Sequence, residues 1–307
     1  MKNKKFIIFC IDNIKLSKQI NHIQLGDFLL FDYRYFKQKF PNLEPPEKEH
    51  MEYSIVPNKQ SKGGFVLYST EQNINSNNFK KNFELQFCNF IDFLLYLHGK
   101  RAFEENKFNY TQFKENKKLH FICNEINFAS YSDVYQVNCM NCIISEQLFK
   151  KAGNNKRIFD LIKLINLNKM EKKIKLAIDW IALALKNNHL TQAFMCLCIS
   201  LETLLTSDSS SPLERGVAYQ LREFGAFLAS NNQKERLEIQ SKIKELYAIR
   251  CSITHSGSLN NAVSEKQFYD LLNILKAVIG GLFELIDKKN ITDSEKLRLY
   301  IDNIKFE

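Results

Sequence analysis

The hydrophobic period of the chain changes at about residue 160, and this change constrains the fold more than any other feature. After it, apolar residues recur at helical spacing almost to residue 307. Before it, short β-branched and aromatic runs typical of strands are separated by polar segments, at Phe6–Ile11, Phe28–Tyr33, Gly64–Tyr68, Leu119–Ile126 and Val134–Asn138. The sequence therefore predicts an α+β domain over residues 1–160 and an all-α helical bundle over residues 161–307.

The second half predicts six helices, at about residues 157–187, 190–206, 212–230, 233–255, 265–288 and 293–305. Three of their starts carry N-cap patterns, with a serine or threonine followed three residues later by Glu or Gln, at Ser211, Ser264 and Thr292. In the first half, a broad apolar face predicts one helix over Phe83–Lys100.

The net charge of +9 is distributed unevenly between the two halves. Residues 1–170 hold 25 basic and 17 acidic side chains and residues 171–307 hold 18 and 17, so the net charges are +8 and +1. An excess of positive charge favours nucleic acid or another anionic partner. We therefore expect RNA or an acidic trigger to contact the first domain.

Neither a secretion signal nor a membrane span is expected. The apolar run Phe6–Ile11 follows three lysines, but its six residues fall short of the about 7–15 of a signal peptide. The longest later run, Ala193–Ile199, is far shorter than the roughly 20 residues that cross a bilayer. We expect a cytoplasmic protein.

One group of side chains has the spacing of a zinc site. His120 and Cys123 form one pair, and Cys139 and Cys142 form a second pair. The residues around the first pair alternate as in a strand, which would place His120 and Cys123 on opposite faces. The sequence therefore leaves open a Cys3His zinc site and an ordinary strand, and the strand is favoured.

Arg250 occupies an apolar position on the helix predicted at 233–255. The stripe Ile239, Ile243, Leu246, Arg250 and Ile253 has spacings of 4, 3, 4 and 3, so the pattern requires an apolar residue where the arginine stands. Burying a guanidinium without a partner costs several kcal/mol. The sequence leaves two explanations, an acidic partner such as Glu202 or a phosphate-binding role.

His255 follows five residues later, just before Ser256 and Gly257, which predict the helix end. Five residues correspond to about 140° of helix rotation, so Arg250 and His255 do not stack on each other. They would meet one ligand only if the helix end were distorted or if a second copy of the motif faced the first. A guanidinium that holds a phosphate and an imidazole that moves a proton suit RNA cleavage without a metal or cofactor.

The segment Tyr247-x-x-Arg250-x-x-x-x-His255-x-Gly257 resembles the Tyr-x-x-Arg…His-Gly ending of the Apea-like subgroup of HEPN domains. Upstream, Leu201–Leu205 is similar to the subgroup's Leu-Glu-x-Leu-Phe helix, and Glu214-Arg215 through Leu221 is similar to its next helix. The resemblance covers about residues 190–285 and implies a bundle of four to five helices.

The resemblance also implies an activity, metal-independent endonucleolytic cleavage of RNA in bacterial antiviral defence by abortive infection. It assigns Arg250 to the phosphate and His255 to acid–base chemistry in a homodimer. We expect the first domain, residues 1–160, to be a sensing or regulatory domain that responds to a phage-derived or acidic trigger. Tyr247, Cys251, Ser252 and Glu202 are then the supporting residues. The residue after the arginine is often polar in HEPN nucleases but is Cys251 here, and the His-x-Tyr extension of antitoxin-controlled HEPN toxins is absent. A non-catalytic HEPN-like module that binds nucleotide or RNA, or that dimerises, is the alternative, and a scaffold without RNA affinity is a third reading.

Overall fold

The structure is a computed structural model. It describes residues 5–11, 14–16, 22–25, 28–32, 64–70, nine positions between 82 and 96, 119–123, 127–131, 142–144, 161, 166–187, 189–206, 216–257 and 263–305. The chain divides into two compact units. The strand unit comprises Met1–Ile91 with Arg101–Lys163, and the helical unit comprises Asp92–Lys100 with Leu164–Glu307. The boundary predicted at residue 160 stays a prediction, because residues 145–160 lie outside the described ranges.

The strand unit contains a six-stranded sheet and a parallel two-stranded sheet. The larger sheet has the order β3-β4-β5-β1-β6-β7 with antiparallel neighbours, and β2 pairs with β8. The described strands are β1 (Lys5–Ile11), β2 (Ile14–Leu16), β3 (His22–Leu25), β4 (Phe28–Asp32), β5 (Gly64–Thr70), β6 (Leu119–Cys123), β7 (Asn127–Tyr131) and β8 (Cys142–Ile144).

Four of the predicted strands coincide with β1, β4, β5 and β6, and the strand predicted at Val134–Asn138 lies outside the described residues. The described positions between 82 and 96 are helical, where a helix is predicted. The α+β class of the first half stays a prediction, since most of its residues lie outside the described part.

The described part of the second half is all-helical, as predicted, and contains six helices. They are α1 (Lys169–Lys186), α2 (Leu190–Leu205), α3 (Val217–Ala229), α4 (Gln233–Ser256), α5 (Glu265–Lys289) and α6 (Ser294–Lys305). Helix α1 packs on α2, α3 packs on α4, and α5 contacts both α2 and α3. None of the helices in the described ranges is long and apolar enough to cross a membrane.

The beginning of α1 corrects the helix predicted at 157–187. Asn166 has a φ of 55°, and Asn168 is the N-cap of a helix that begins only at Lys169. The Asn168 side chain accepts a hydrogen bond from the Glu171 N–H, and the Glu171 carboxylate accepts one from the Asn168 N–H, both at 2.8 Å. This capping box satisfies N–H groups that a continuous helix would have bonded internally.

Of the three N-caps predicted from the sequence, one is confirmed, one is wrong and one lies outside the described residues. Ser264 forms the predicted capping box with Gln267 at the start of α5. Thr292 is not the cap of α6, because the Asp293 carboxylate instead accepts the Lys296 N–H at 2.9 Å. The pKa of Asp293 is lowered chiefly by this hydrogen bond. The start predicted at Ser211 lies outside the described residues.

Helix α5 supplies much of the core of the helical unit, because apolar residues three and four apart form a wide buried face. Its fully buried side chains include Phe268, Leu275, Val278 and Leu282. Such a face supplies about 25 cal/mol of stabilisation for each Å² of apolar surface removed from water. Because α5 contacts both α2 and α3, it also helps to fix the position of α2, the helix that carries Glu202.

One charged side chain on α5 makes the stability of the helical unit depend on pH. Burial lowers the pKa of Lys276 to about 8, and its Nζ lies 5.6 Å from the centre of the Tyr96 ring. In the unfolded chain Lys276 loses its proton only at about pH 10.4. Below pH 8 the side chain is therefore charged in both states, and the folded state carries the full free-energy cost of burying that charge. The penalty is relieved as the pH rises from 8 to 10.

We therefore expect Lys276→Met to be more stable than the wild type near pH 7 by on the order of 2 kcal/mol, with an advantage that shrinks above pH 8. The measurement is urea unfolding from pH 7 to 10, followed by fluorescence of Trp180, the single tryptophan, which lies on α1. Lys266→Met is the control, because Lys266 is exposed on the same helix. The quantity compared is the difference in the free energy of unfolding between Lys276→Met and wild type at each pH. Burial also raises the pKa of Cys196 and Cys198, and this opposes the Lys276 effect, but it acts in both proteins and cancels in the difference. A pH-independent difference would contradict the assignment.

Candidate functional site

Arg250 on α4 forms an ion pair with Glu202 on α2. Arg250 Nε lies 3.0 Å from Glu202 Oε1, and Arg250 Nη2 donates a hydrogen bond to Oε2 at 3.3 Å. The neighbouring stripe residues Ile243, Leu246 and Ile253 are buried, as the sequence predicts. The acidic partner considered from the sequence is therefore present, and it explains why a charged residue is tolerated on the apolar stripe.

The ion pair occupies only one edge of the guanidinium. Nε and Oε1 are both buried, yet they are not aligned as a hydrogen bond. Nη1 donates no hydrogen bond to a described residue, and the Arg250 side chain keeps 25% of its exposure. Because a guanidinium carries five N–H donors, the edge that includes Nη1 can still hold an oxyanion.

The ionisable groups around the pair respond to one another. Burial is the largest single effect on the pKa of Arg250 and lowers it, but the Glu202 carboxylate, Tyr247 and Cys251 together outweigh burial, so the net shift is upward. The pKa of Tyr247 is raised by burial and by the same carboxylate, and its ring centre lies 5.6 Å from the Arg250 Cζ. Tyr247 therefore lies beside the guanidinium as a neutral phenol, and Arg250 is charged at any physiological pH.

Cys198 on α2 also belongs to this cluster, close to Glu202 and Arg250. It is buried, and its pKa is raised first by burial and then by the Glu202 carboxylate. Its position four residues before Glu202 on α2 is the signal that could have placed it there, because such residues share a helix face. A protonated thiol at this position is a small apolar neighbour of the ion pair.

Cys251 and Thr254 lie between Arg250 and His255 on α4. In helical projection Thr254, Cys251 and His255 follow Arg250 at about 40°, 100° and 140°, so the four residues form one continuous strip. Thr254 donates its hydroxyl to the Arg250 carbonyl at 2.8 Å, and Cys251 is half-buried. The helix therefore connects the two candidate groups through a small polar surface.

His255 is exposed in the last turn of α4. The helix ends as predicted, since Gly257 adopts a left-handed φ of 64° and its N–H donates to the Ile253 carbonyl at 3.0 Å. Within the described ranges no hydrogen bond or ion pair holds His255, so its ring is open to a ligand.

The predicted site residues are thus only partly brought together. Glu202, Arg250 and Tyr247 form one cluster with Cys251 close by, whereas His255 stands apart at the helix end. Ser252 is exposed and lies about 200° around α4 from Arg250, so it faces away from the cluster. Within the chain, Arg250 is held by Glu202 and His255 has no such partner among the described residues, so the two do not form a closed pair.

No group of three or more His, Cys, Asp or Glu side chains among the described residues is arranged to hold a metal ion. The zinc hypothesis itself stays a hypothesis. His120 and Cys123 lie on β6 and Cys142 begins β8, which belongs to the other sheet, while Cys139 lies outside the described residues.

Comparison with known proteins gives no relative: no protein-family model, no curated protein and no solved structure matches this chain significantly.

Proposed function

We propose that this chain is a metal-independent RNA endonuclease of a bacterial antiviral defence system of the abortive-infection type, acting as a homodimer through its helical unit. The observation that supports this proposal most is the arrangement of Arg250. Glu202 holds one edge of its guanidinium, while Nη1 and a quarter of the side chain stay accessible beside the helix end that carries His255. The motif resemblance of Tyr247 through Gly257 supplies the reaction class.

In the proposed reaction the ribose 2′-hydroxyl attacks the adjacent phosphorus and the bond to the 5′-oxygen breaks. One imidazole accepts the proton from the 2′-hydroxyl, and a second imidazole gives a proton to the departing 5′-oxygen. Arg250 holds the non-bridging oxygens, whose negative charge increases in the transition state. The products are a 2′,3′-cyclic phosphate and a 5′-hydroxyl.

This mechanism requires two protomers, for a geometrical reason. Arg250 and His255 are about 140° apart around α4 and 7.5 Å or so apart along it, so one copy offers its two groups in different directions. A two-fold axis beside this end of α4 would bring both motifs to one cleft. The two imidazoles of the reaction then come from the two copies.

Replacing Arg250 or His255 with alanine should abolish RNA cleavage and growth toxicity, each with a loss of about 1000-fold or more. The assay is cleavage of total bacterial RNA by the purified full chain, together with toxicity on expression. The Trp180 fluorescence of each variant reports whether the helical unit is folded.

Two residues of the same unit provide matched controls. His189 is exposed at the N-cap of α2 and makes no capping hydrogen bond through its side chain. Arg298 is exposed on α6. His189→Ala and Arg298→Ala should cleave RNA at the wild-type rate. Undiminished cleavage by Arg250→Ala and His255→Ala would exclude the mechanism.

A non-catalytic module that binds RNA or nucleotide is the second candidate, and one observation favours it. Glu202 already compensates the charge of Arg250, and the side chain after the arginine is the half-buried Cys251 rather than a polar group. Such a module would bind RNA with an affinity that falls steeply with salt and would leave the RNA intact. A scaffold would show no RNA affinity at all.

A further inference from the structure

A concave site lies in the helical unit and is lined by residues other than those of the Arg250 cluster. It is a cavity of about 460 Å³ between the C-terminal end of α3, the first turn of α4, the second half of α5 and the end of α6. None of Glu202, Tyr247, Arg250 and His255 lines it. Its volume falls within the roughly 300–1,000 Å³ typical of small-molecule sites.

The charged residues of the cavity are mostly cationic. Three basic side chains line it, Arg236, Lys288 and Lys289, against one acidic side chain, Glu284. Lys288 pairs with Glu284 at 2.6 Å. Lys289 is exposed, and no described residue forms an ion pair with it. The lining therefore has a net charge of +2, which matches a phosphate monoester dianion.

Arg236 is held in place before any ligand arrives. Its Cζ lies 4.2 Å from the centre of the Phe227 ring, and its Nε donates to the Ser230 carbonyl at 2.8 Å. Its two terminal NH₂ groups make no hydrogen bond to a described residue. A guanidinium fixed by stacking and by one hydrogen bond offers these groups to a phosphate with little further loss of conformational entropy.

The remaining lining combines apolar and aromatic side chains with the polar residues Ser230 and Asn231. Leu228, Ala277 and Ile301 supply aliphatic surface, and Tyr300 supplies an aromatic ring besides Phe227. Aromatic rings prefer stacked or edge-on aromatic partners. A ligand that satisfies both parts of the lining therefore combines a flat aromatic body with a phosphate group.

We propose that this cavity binds a nucleoside monophosphate or an aromatic organic phosphate of the same size, with the phosphate at Arg236 and Lys289. The aromatic body lies against Tyr300 and the aliphatic wall, and the Glu284 carboxylate is the acceptor available to ribose hydroxyls. This site does not depend on RNA cleavage at Arg250, and its ligand is a small molecule rather than an RNA substrate.

Binding is measured by titration calorimetry of the full chain with four probes: AMP, adenosine, inorganic phosphate and decanoate, an apolar acid without a ring or a phosphate. AMP should bind at least about tenfold more tightly than either adenosine or phosphate, because only AMP uses both parts of the lining. The affinity for AMP should fall as salt is added. Equal affinities for AMP and adenosine, or tighter binding of decanoate than of AMP, would overturn the proposal.

Two substitutions locate the binding. Arg236→Ala removes the guanidinium, and Ala277→Phe fills the cavity from an exposed position of α5 without changing a charge. Each should weaken AMP binding by about tenfold or more. If Trp180 fluorescence shows that Arg236→Ala disturbs folding, the proposal is tested with Ala277→Phe and Lys289→Ala instead.

The chain offers matched controls for both charged residues. Arg222 is half-buried on α3 and donates its Nε to the Ala218 carbonyl at 3.2 Å, as Arg236 does to the Ser230 carbonyl. Lys266 is exposed at the other end of α5. Arg222→Ala and Lys266→Ala should bind AMP normally. Loss of AMP binding in Arg250→Ala, with normal binding in Arg236→Ala and Ala277→Phe, would place AMP at the RNA site and refute the cavity.

Discussion

Gly281→Ala is expected to lower the free energy of unfolding of the helical unit by about 3 kcal/mol. A Cβ atom added at Gly281 would lie 2.0 Å from the carbonyl oxygen of Leu228 and 2.9 Å from its carbonyl carbon. Both are backbone atoms at the end of α3, so the clash cannot be relieved by a change of rotamer. Helices α3 and α5 must separate, and this disturbs the core between them.

The neighbouring glycine supplies the control for this substitution. A Cβ added at Gly280 meets no atom within 4 Å, and the residue is exposed in the middle of α5. Gly280→Ala should therefore stabilise the unit by about 0.5–1 kcal/mol, as expected for an exposed helix position. Urea unfolding followed by Trp180 fluorescence measures both variants. A Gly281→Ala variant as stable as Gly280→Ala would show that the close contact of α3 and α5 is wrong.

Glu202→Gln should separate binding from cleavage. Without the carboxylate the charge of Arg250 is uncompensated, so RNA should bind more tightly, by roughly threefold to tenfold at low salt. Cleavage at saturating RNA should fall by about 100-fold, because the guanidinium is no longer fixed against the phosphate. This result would make Glu202 a positioning residue, and measured RNA affinities and single-turnover rates test it. Unchanged single-turnover cleavage would show that Glu202 serves only the fold.

The ion pair of Arg250 with Glu202 should also contribute to the free energy of unfolding. Removing either partner leaves a partly buried charge unpaired, at a cost of about 1–2 kcal/mol after allowance for its exposure. A cycle of Glu202→Leu, Arg250→Met and the double variant should show a coupling of about 1 kcal/mol or more, with the double variant more stable than the sum predicts. A coupling near zero would contradict the ion pair.

The helices of the second half could be predicted because each buries one apolar face, and that face appears directly as a period of 3.6. The start of α1 could not. Asn166 with its positive φ interrupts a periodic stretch that the hydrophobic pattern alone continues, and the capping box of Asn168 with Glu171 depends on two polar residues with no unusual spacing. At α6 two adjacent residues could cap, and the carboxylate of Asp293 is the stronger acceptor.

The candidate site could be predicted in part for a related reason. A charged residue at an apolar position requires a partner of opposite charge, so the sequence singles out Arg250. Glu202, which lies within an apolar helix, is the natural candidate for that partner. The contribution of Cys198 depends on how α2 and α4 pack, which one helix pattern does not show. The cavity at Arg236 gathers residues from four helices, and only the folded chain brings them together.

The chemistry of the RNA ends tests the central claim most directly. The purified full chain is incubated with total bacterial RNA in the presence of EDTA, and the 3′ ends of the fragments are analysed. We predict 2′,3′-cyclic phosphates opposite 5′-hydroxyls, since the 2′-hydroxyl is the nucleophile and no metal takes part. Fragments that end in a 3′-hydroxyl and a 5′-phosphate, or RNA that stays intact, would contradict the assignment of Arg250 and His255 to RNA cleavage.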